Sequence, residues 1–324
     1  MTRRIGSRTR AAVVAASVVG FAWWTSLQAQ SQQTPAGGSD EGGVHVEHVW
    51  GNIHMLASRG GNITVQIGHE GVLLVDTSTA DAAPQVVAAL RKISTAPIRY
   101  ILNTHTHPDH VGGNAIVAKA AAPTPILPLN IVAHENVLNR LTASADRGQP
   151  LVPEEGMPVD EYFTPVKNLH FNDEAIVLYH EPKAHTDGDS VVLFRGSDVL
   201  STGDIFTPGA YPFIDVDQGG TVQGEIAALT HILQLTVPAK NQEGGTYVVP
   251  GHGRICDSAD VVEFRDMVVI VRDRIQDLMK KGMTLDQIKA AGVTRDYDTE
   301  YVTPTSFVKP DQFVASMYKS LGGK

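Results

Sequence analysis

The 324-residue chain reads as an α/β fold of two β-rich halves, each with its own helices. The predicted architecture is two sheets packed together and covered by helices outside. Three observations lead there. Short apolar runs bounded by turn residues alternate with amphipathic helical segments up to about residue 141. A second series of strands and helices begins near residue 168. The composition, 42% apolar with only 19% charged residues, is globular, and no repeat, heptad pattern or long internal linker splits the body.

In the first half, segments 46–57 and 63–67 have strand character, and Gly68-His69-Glu70-Gly71 makes a turn into a short, wholly apolar strand over 72–75. Pro84 opens a helix carrying Val86, Val87, Leu90 and Ile93 at helical spacing. Another apolar strand, 99–102, runs directly into a histidine-rich loop. In the second half, 168–179, 190–194, 199–202 and 247–249 are strands. A helix spans 221–235 with Thr221 as its N-cap. Segment 260–281 is a long amphipathic helix with Val261, Phe264, Val268, Val271, Ile275 and Leu278 on one stripe, stopped by Gly282. Two short helices, 285–291 and 311–321, complete the chain.

Charge is distributed unevenly. The first 29 residues hold Arg3, Arg4, Arg8 and Arg10 and no acidic residue. Taking those four charges from the formal net charge of −9 leaves −13 on residues 30–324. An acidic body lacks the clustered cationic face that phosphate backbones require, which excludes nucleic acid as a partner. The cationic start, the uncharged apolar stretch 11–29 and a cleavage site at Leu27-Gln28-Ala29 read as a secretory signal peptide. Left uncleaved, the same stretch would anchor the chain in a membrane. Residues 30–43, rich in Gln, Ser, Gly and Pro, read as a flexible leader, and 44–324 as the folded domain. The expected location is secreted or periplasmic. The lone cysteine, Cys256, excludes an internal disulfide and any cysteine-based zinc cluster, and reads as a small buried residue. With 13 histidines, metal chemistry here would use imidazole and carboxylate.

The chemistry-bearing segment is Asn103-Thr104-His105-Thr106-His107-Pro108-Asp109-His110-Val111-Gly112-Gly113. Three imidazoles and a carboxylate sit within six residues at the end of a buried strand, a rigid support for metal donors. Alternate residues of an extended segment point the same way, so His105 and His107 can share one ion while Asp109 and His110 turn towards another. Further donors are expected at other strand ends. His185 lies in a turn before strand 190–194, Asp204 follows strand 199–202, and His252 follows strand 247–249. Each has a glycine nearby that lets the backbone bend.

Carried by the His-x-His-x-Asp-His motif and the three later donors in order, the sequence resembles the metallo-β-lactamase superfamily from about residue 46 to 253. The resemblance implies an αβ/βα four-layer sandwich. It implies that His105, His107 and His185 hold a first metal, that Asp109, His110 and His252 hold a second, and that Asp204 bridges both. It also implies a supporting role near the metal loop for Asp76, which otherwise reads as a strand-terminal carboxylate bonding backbone amides. Zinc suits such a cysteine-free site, and a bridging carboxylate suits iron or manganese as well. Two dications would lower the pKa of a bridging water and supply hydroxide at neutral pH, with Asp109 orienting the nucleophile and handling its proton.

The aspartate at 204 makes the resemblance closer to glyoxalase II-type hydrolases and lactonases than to the β-lactamase subclasses, which carry Cys or Ser there. The expected substrate is a small-molecule ester, thioester, lactone or amide. Alternatives are a β-lactamase, a mononuclear iron persulfide oxygenase on the same fold, and a non-enzymatic metal-holding protein. Trp50, Phe206, Tyr211 and Phe213 are candidate pocket walls. The remaining histidines have no ligand spacing.

Overall fold

The computed structural model describes residues 43–122, 124, 126 and 128–323. The expected signal peptide, 1–29, and all but the last residue of the expected leader lie outside the described residues. Among those described, no helix is long and apolar enough to cross a membrane.

The first half forms β1 (His45–Trp50), β2 (Ile53–Ser58), β3 (Gly61–Gly68) and β4 (Gly71–Val75), then α1 (Ala83–Ile93), β5 (Ile98–Leu102), α2 (Pro108–Val111) and α3 (Asn114–Ala121). It closes with β6 (Asn130–His134), α4 (Glu135–Asp146) and β7 (Asp160–Tyr162). These seven strands make one sheet in sequence order. Strands β1 to β4 are antiparallel, and β4 to β7 run parallel through helical crossovers.

The second half forms β8 (Val166–Phe171), β9 (Glu174–His180), β10 (Ser190–Phe194) and β11 (Val199–Ser201), then α5 (Val222–Leu235), β12 (Tyr247–Val249) and the 23-residue α6 (Ser258–Lys280). Helices α7 (Leu285–Ala291), α8 (Asp298–Tyr301) and α9 (Pro310–Ser320) follow. Its five strands are ordered β12-β11-β10-β9-β8.

The layers are the expected αβ/βα sandwich, and the strands show why. In β4, Leu73 and Val75 face the core between the sheets, while Val72 and Leu74 face α1 and α3 on the other side. In β10, Val192 and Phe194 enter the inter-sheet core and Val191 and Leu193 face the layer of α5 and α6. A strand buried on both faces must be apolar at every position, which is why both look like continuous hydrophobic runs. Polar bonds cross between the sheets near the functional end. Asn62 donates through its backbone to Gly251 O (2.7 Å) and through Nδ2 to Pro250 O (3.0 Å), and Thr64 Oγ1 donates to Ser201 Oγ (3.0 Å).

Two expected strands divide. Segment 46–57 is a hairpin broken at Gly51, where φ is +56°. Segment 168–179 is a hairpin broken at Asn172-Asp173, whose φ angles of +51° and +65° form the two-residue turn that matches strand twist. The long helix starts two residues earlier than expected, at Ser258. Asp257 accepts from the Ala259 and Asp260 amides and Asp260 returns a bond to the Asp257 amide, a reciprocal cap. Thr221 caps α5 as expected, accepting from Gly224 N at 3.0 Å.

Candidate metal centre

All seven expected donors lie on loops or single helical turns at one end of the sandwich, the end where β4, β5, β11 and β12 terminate. Strand β5 delivers His105 and His107. Pro108 then starts α2, with its fixed φ and missing amide placed where a helix tolerates them, and this single turn carries Asp109 and His110. From the other sheet, His185 precedes β10, Asp204 sits in the 3₁₀ turn Gly203–Ile205 after β11, and His252 follows β12.

The structure gathers them into two sets. Donor atoms of His105, His107, His185 and Asp204 lie within 4.8 Å of one another, and so do those of Asp109, His110 and His252. Asp204 stands between the sets. Its Oδ1 is 3.2 Å from His110 Nε2, and its Oδ2 is 3.6 Å from His252 Nε2, 3.8 Å from His105 Nε2 and 3.9 Å from His185 Nε2. A β-carbon at position 251 would lie 1.9 Å from Asp204 Oδ1, so only glycine lets the β12 loop pass this close.

Outer partners aim the imidazoles. His105 Nδ1 is 3.0 Å from Thr104 Oγ1, and His110 Nδ1 is 2.7 Å from Asp76 Oδ2. His107 Nε2 is 3.1 Å from Asp215 Oδ2, and His185 Nδ1 bonds the Phe213 carbonyl. In each ring one nitrogen is held from outside and the other faces the centre, where His185 Nε2 and His107 Nδ1 meet at 2.9 Å; outer partners of this kind set tautomer and orientation in metal sites. Asp76 corrects the sequence reading of a carboxylate serving backbone amides alone. It accepts Thr104 N (2.8 Å) and Thr104 Oγ1 (2.7 Å), and it also holds His110.

Asp215 and Gln218 were not singled out in the sequence, because neither has ligand spacing. They belong to the loop after Asp204, where Asp215 caps the 3₁₀ turn Val216–Gln218 and accepts Gln218 Nε2 (2.8 Å), while Gln218 Oε1 accepts Thr106 Oγ1 (2.8 Å).

The donor chemistry fits divalent metal. His105 Nε2 is buried with no hydrogen-bond partner, and His110 Nε2 and Asp204 Oδ1, buried and 3.2 Å apart, form an ion pair without an aligned hydrogen bond; all three atoms converge on one region. An orphan such as His105 Nε2 costs about 1–3 kcal/mol unless a cation satisfies it. In the first set the protonation states of the buried imidazoles agree. Burial, with neighbouring His110, holds His105 well below its ordinary value, and burial brings His185 down to about 4. Burial opposes charge on Asp204, but the imidazoles of His110 and His252 outweigh it and keep that carboxyl well below the usual carboxylate range. His110 is raised well above its ordinary value and His252 to about 9; burial acts against both shifts, and Asp204 with Asp76 or Asp109 overcomes it. Metal binding at the second set would therefore displace protons.

Of the expected pocket aromatics, Phe206 and Tyr211 are instead fully buried, with Tyr211 stacked on Phe313 (4.7 Å). Trp50 stacks on Tyr247 (5.7 Å), the first residue of β12, at the opposite end of that strand from His252. Phe213 alone reaches the centre, 5.9 Å from the His107 ring and 5.8 Å from His185. Cys256 is buried and its thiol is pushed up by burial.

The sequence profile described as the metallo-beta-lactamase superfamily matches residues 57–252, more than half the chain and every one of the seven donors. The chain belongs to the metallo-beta-lactamase superfamily. Among superfamily relatives, a linear primary-alkylsulfatase of Pseudomonas sp. (strain ATCC 19151) is 34% identical over 85 residues. That match is 26% of this chain and only 16% of the relative. A probable metallo-hydrolase of Methanocaldococcus jannaschii is 25% identical over 187 residues, 57% of this chain and 84% of the relative. The solved sec-alkylsulfatase Pisa1 from Pseudomonas sp. shares the fold at TM-score 0.63 and 18% identity, covering 86% of this chain and 50% of that one. A metallo-beta-lactamase from Pontibacter korlensis shares it at TM-score 0.55 and 16% identity, covering 69% and 98%. The chain thus spans half the length of that alkylsulfatase structure and nearly all of the lactamase fold.

Proposed function

We propose that this superfamily member is a dinuclear metal-dependent hydrolase acting on a small-molecule ester, thioester, lactone or amide. The observation that carries the reading is the convergence of seven imidazole and carboxylate side chains in two sets, with the buried His105 Nε2 left without a hydrogen-bond partner among them. His105, His107, His185 and Asp204 would hold one ion. Asp109, His110 and His252 would hold a second, with Asp204 shared. Zinc is the first choice for this donor set, and iron or manganese also suits it. Bound there, divalent ions supply Lewis acidity and a water acidic enough to act as nucleophile near neutral pH.

The chain's own residues divide the remaining work. His105, His110 and His185 form a sealed inner wall, their side chains 1% exposed, so the centre is open mainly on the side of Asp109 and His252, exposed by 35% and 37%, and less so at His107, exposed by 16%. Asp109 Oδ2 lies 3.3 Å from His252 Nε2. Burial acts to raise the Asp109 carboxyl, but His252 and His110 hold it below its ordinary value. An ionised, solvent-facing carboxylate can accept a proton from the attacking water and return it to the leaving group.

The alkylsulfatase likenesses support a second substrate arm, sulfate monoesters. The basic, then apolar, first 29 residues support an exported setting.

The test measures metal content and turnover together on the mature protein, with ester, thioester, lactone, amide, cephalosporin and alkyl sulfate substrates. The expected result is two ions per chain and hydrolysis of at least one class. Asp109→Asn should lower kcat by about 100-fold or more. One iron per chain with oxygen uptake on a persulfide would support the oxygenase alternative, and two ions without turnover would support a metal-holding protein. Either outcome overturns the hydrolase reading.

A further inference from the structure

We propose that the substrate carries an apolar chain, and that this chain lies on an aromatic ledge formed by Phe213 and Phe307 beside the metal centre. The inference rests on the hydrolase reading and names its substrate class: esters, thioesters or lactones whose acyl side is hydrophobic.

Phe213 is tied to the centre by its own backbone, since its carbonyl accepts a hydrogen bond from His185 Nδ1. Its ring is thereby held against His107 and His185, yet remains 40% exposed. Phe307 meets it edge-on at 5.6 Å and 79°, and is 81% exposed. The segment presenting Phe307 is fixed on both sides. Thr303 N donates to Ser306 Oγ (2.7 Å), Lys309 Nζ donates to the Thr303 and Pro304 carbonyls (3.2 Å each), and Val308 is buried in the core. The chain therefore holds two contiguous aromatic rings in water next to its donor cluster. The neighbouring Phe206, Tyr211 and Phe313 are buried. Exposed apolar surface continuous with a polar centre is the signature of a ligand subsite, where a few polar groups orient the ligand and the apolar wall binds it.

The site's polarity sets the direction of binding. Both flanks carry a carboxylate, but Asp109 is 35% exposed, whereas Asp215 beside His107 is 13% exposed and already bonded by His107 and Gln218, so an apolar chain desolvates less on the Phe213 side. With the scissile group over the centre, the chain extends away from Asp109, past His107 and His185, onto Phe213 and then Phe307.

The experiment uses the metal-loaded protein and two series of increasing length. One is p-nitrophenyl esters from acetate to octanoate, read as kcat/KM. The other is the free carboxylates from acetate to octanoate, read as binding affinity by calorimetry, which needs no turnover. In the wild-type protein both should improve by about twofold per added methylene, half the effect of full burial because the ledge covers one side of the chain. Phe307→Ser, at a highly exposed position, and Phe213→Ser should flatten the slope in both series while metal content stays unchanged. A flat wild-type slope, or a slope that neither substitution alters, overturns the proposal. If no ester of any length is cleaved while octanoate binding keeps its Phe307-dependent slope, the ester branch of the hydrolase reading fails and the ledge stands. If esters are cleaved with no length dependence, the reverse holds.

Discussion

Asp215 supplies no atom to the donor cluster, yet its carboxylate, with Gln218 Nε2, engages His107 Nε2 and turns Nδ1 of that ring towards the first set, and its amide donates to the His185 carbonyl (2.9 Å). Removing such an outer partner commonly costs 10–100-fold in metal affinity. Asp215→Ala should therefore lose metal about 10–100-fold more readily in chelator competition, while the fold, read by far-UV dichroism, is retained. Glu225 poses the opposite problem. It lies fully buried in the first turn of α5, and neither carboxylate oxygen has a hydrogen-bond partner. Burial, reinforced by the charges of Asp189 and Asp204, raises it well above its ordinary value. The folded protein keeps a proton there that the unfolded chain releases once pH exceeds the ordinary carboxylate value. The associated stability is complete below that value and is lost as pH rises. Glu225→Met removes the proton linkage, so its stability relative to wild type should grow by up to about 1.4 kcal/mol per pH unit above pH 5 in urea melts. A constant difference between pH 5 and 8 would count against a neutral, buried Glu225.

The loop that follows β12 shows how an element end is shaped by what it must approach. Gly251 N donates to Gly203 O at 2.6 Å, and a β-carbon at 251 would fall on Asp204 Oδ1. Gly251→Ala must push Asp204 or the whole loop aside. The expected outcome is a protein that still folds but holds less than half the wild-type metal per chain; full metal content would show that the loop yields instead. The same lesson governs the strands. The spans 46–57 and 168–179 are apolar enough to read as single strands, but Gly51 and the Asn172-Asp173 pair take positive φ and turn each into a hairpin. Asn-Asp between β-prone runs was the available signal. β7 and α8, at three and four residues, are too short for periodicity to register.

The donor cluster joins two sheets that otherwise meet through an apolar core. His105, His107, Asp109 and His110 come from the seven-stranded side, and His185, Asp204 and His252 from the five-stranded side. Metal bound across them would clamp the sandwich at one end. At a free metal concentration of about 100 times Kd, binding adds roughly 2.7 kcal/mol, which for a domain of this size corresponds to about 5–10 °C in Tm. Chelation should lower the melting temperature by that amount and readdition should restore it, by calorimetry at neutral pH. An unchanged Tm would mean that the folded chain binds the metal no better than the unfolded one.

The local pattern carried much of this molecule. Alternating apolar runs gave the two sheets and their helical covers, because burial on both faces writes itself directly into β4 and β10. The seven donors were readable because metal chemistry demands imidazole and carboxylate at strand ends, whatever the rest of the fold does. Three-dimensional packing alone decided the partners of those donors. Asp76 lies 34 residues from His110 and Asp215 lies 108 from His107, and no spacing rule spans such distances. It also decided that Phe206 and Tyr211 fill the core while Phe213 and Phe307, distant in sequence, meet in the open beside the centre. Side-chain burial depends on which surfaces neighbouring elements leave uncovered, and that is settled only when all of them are in place.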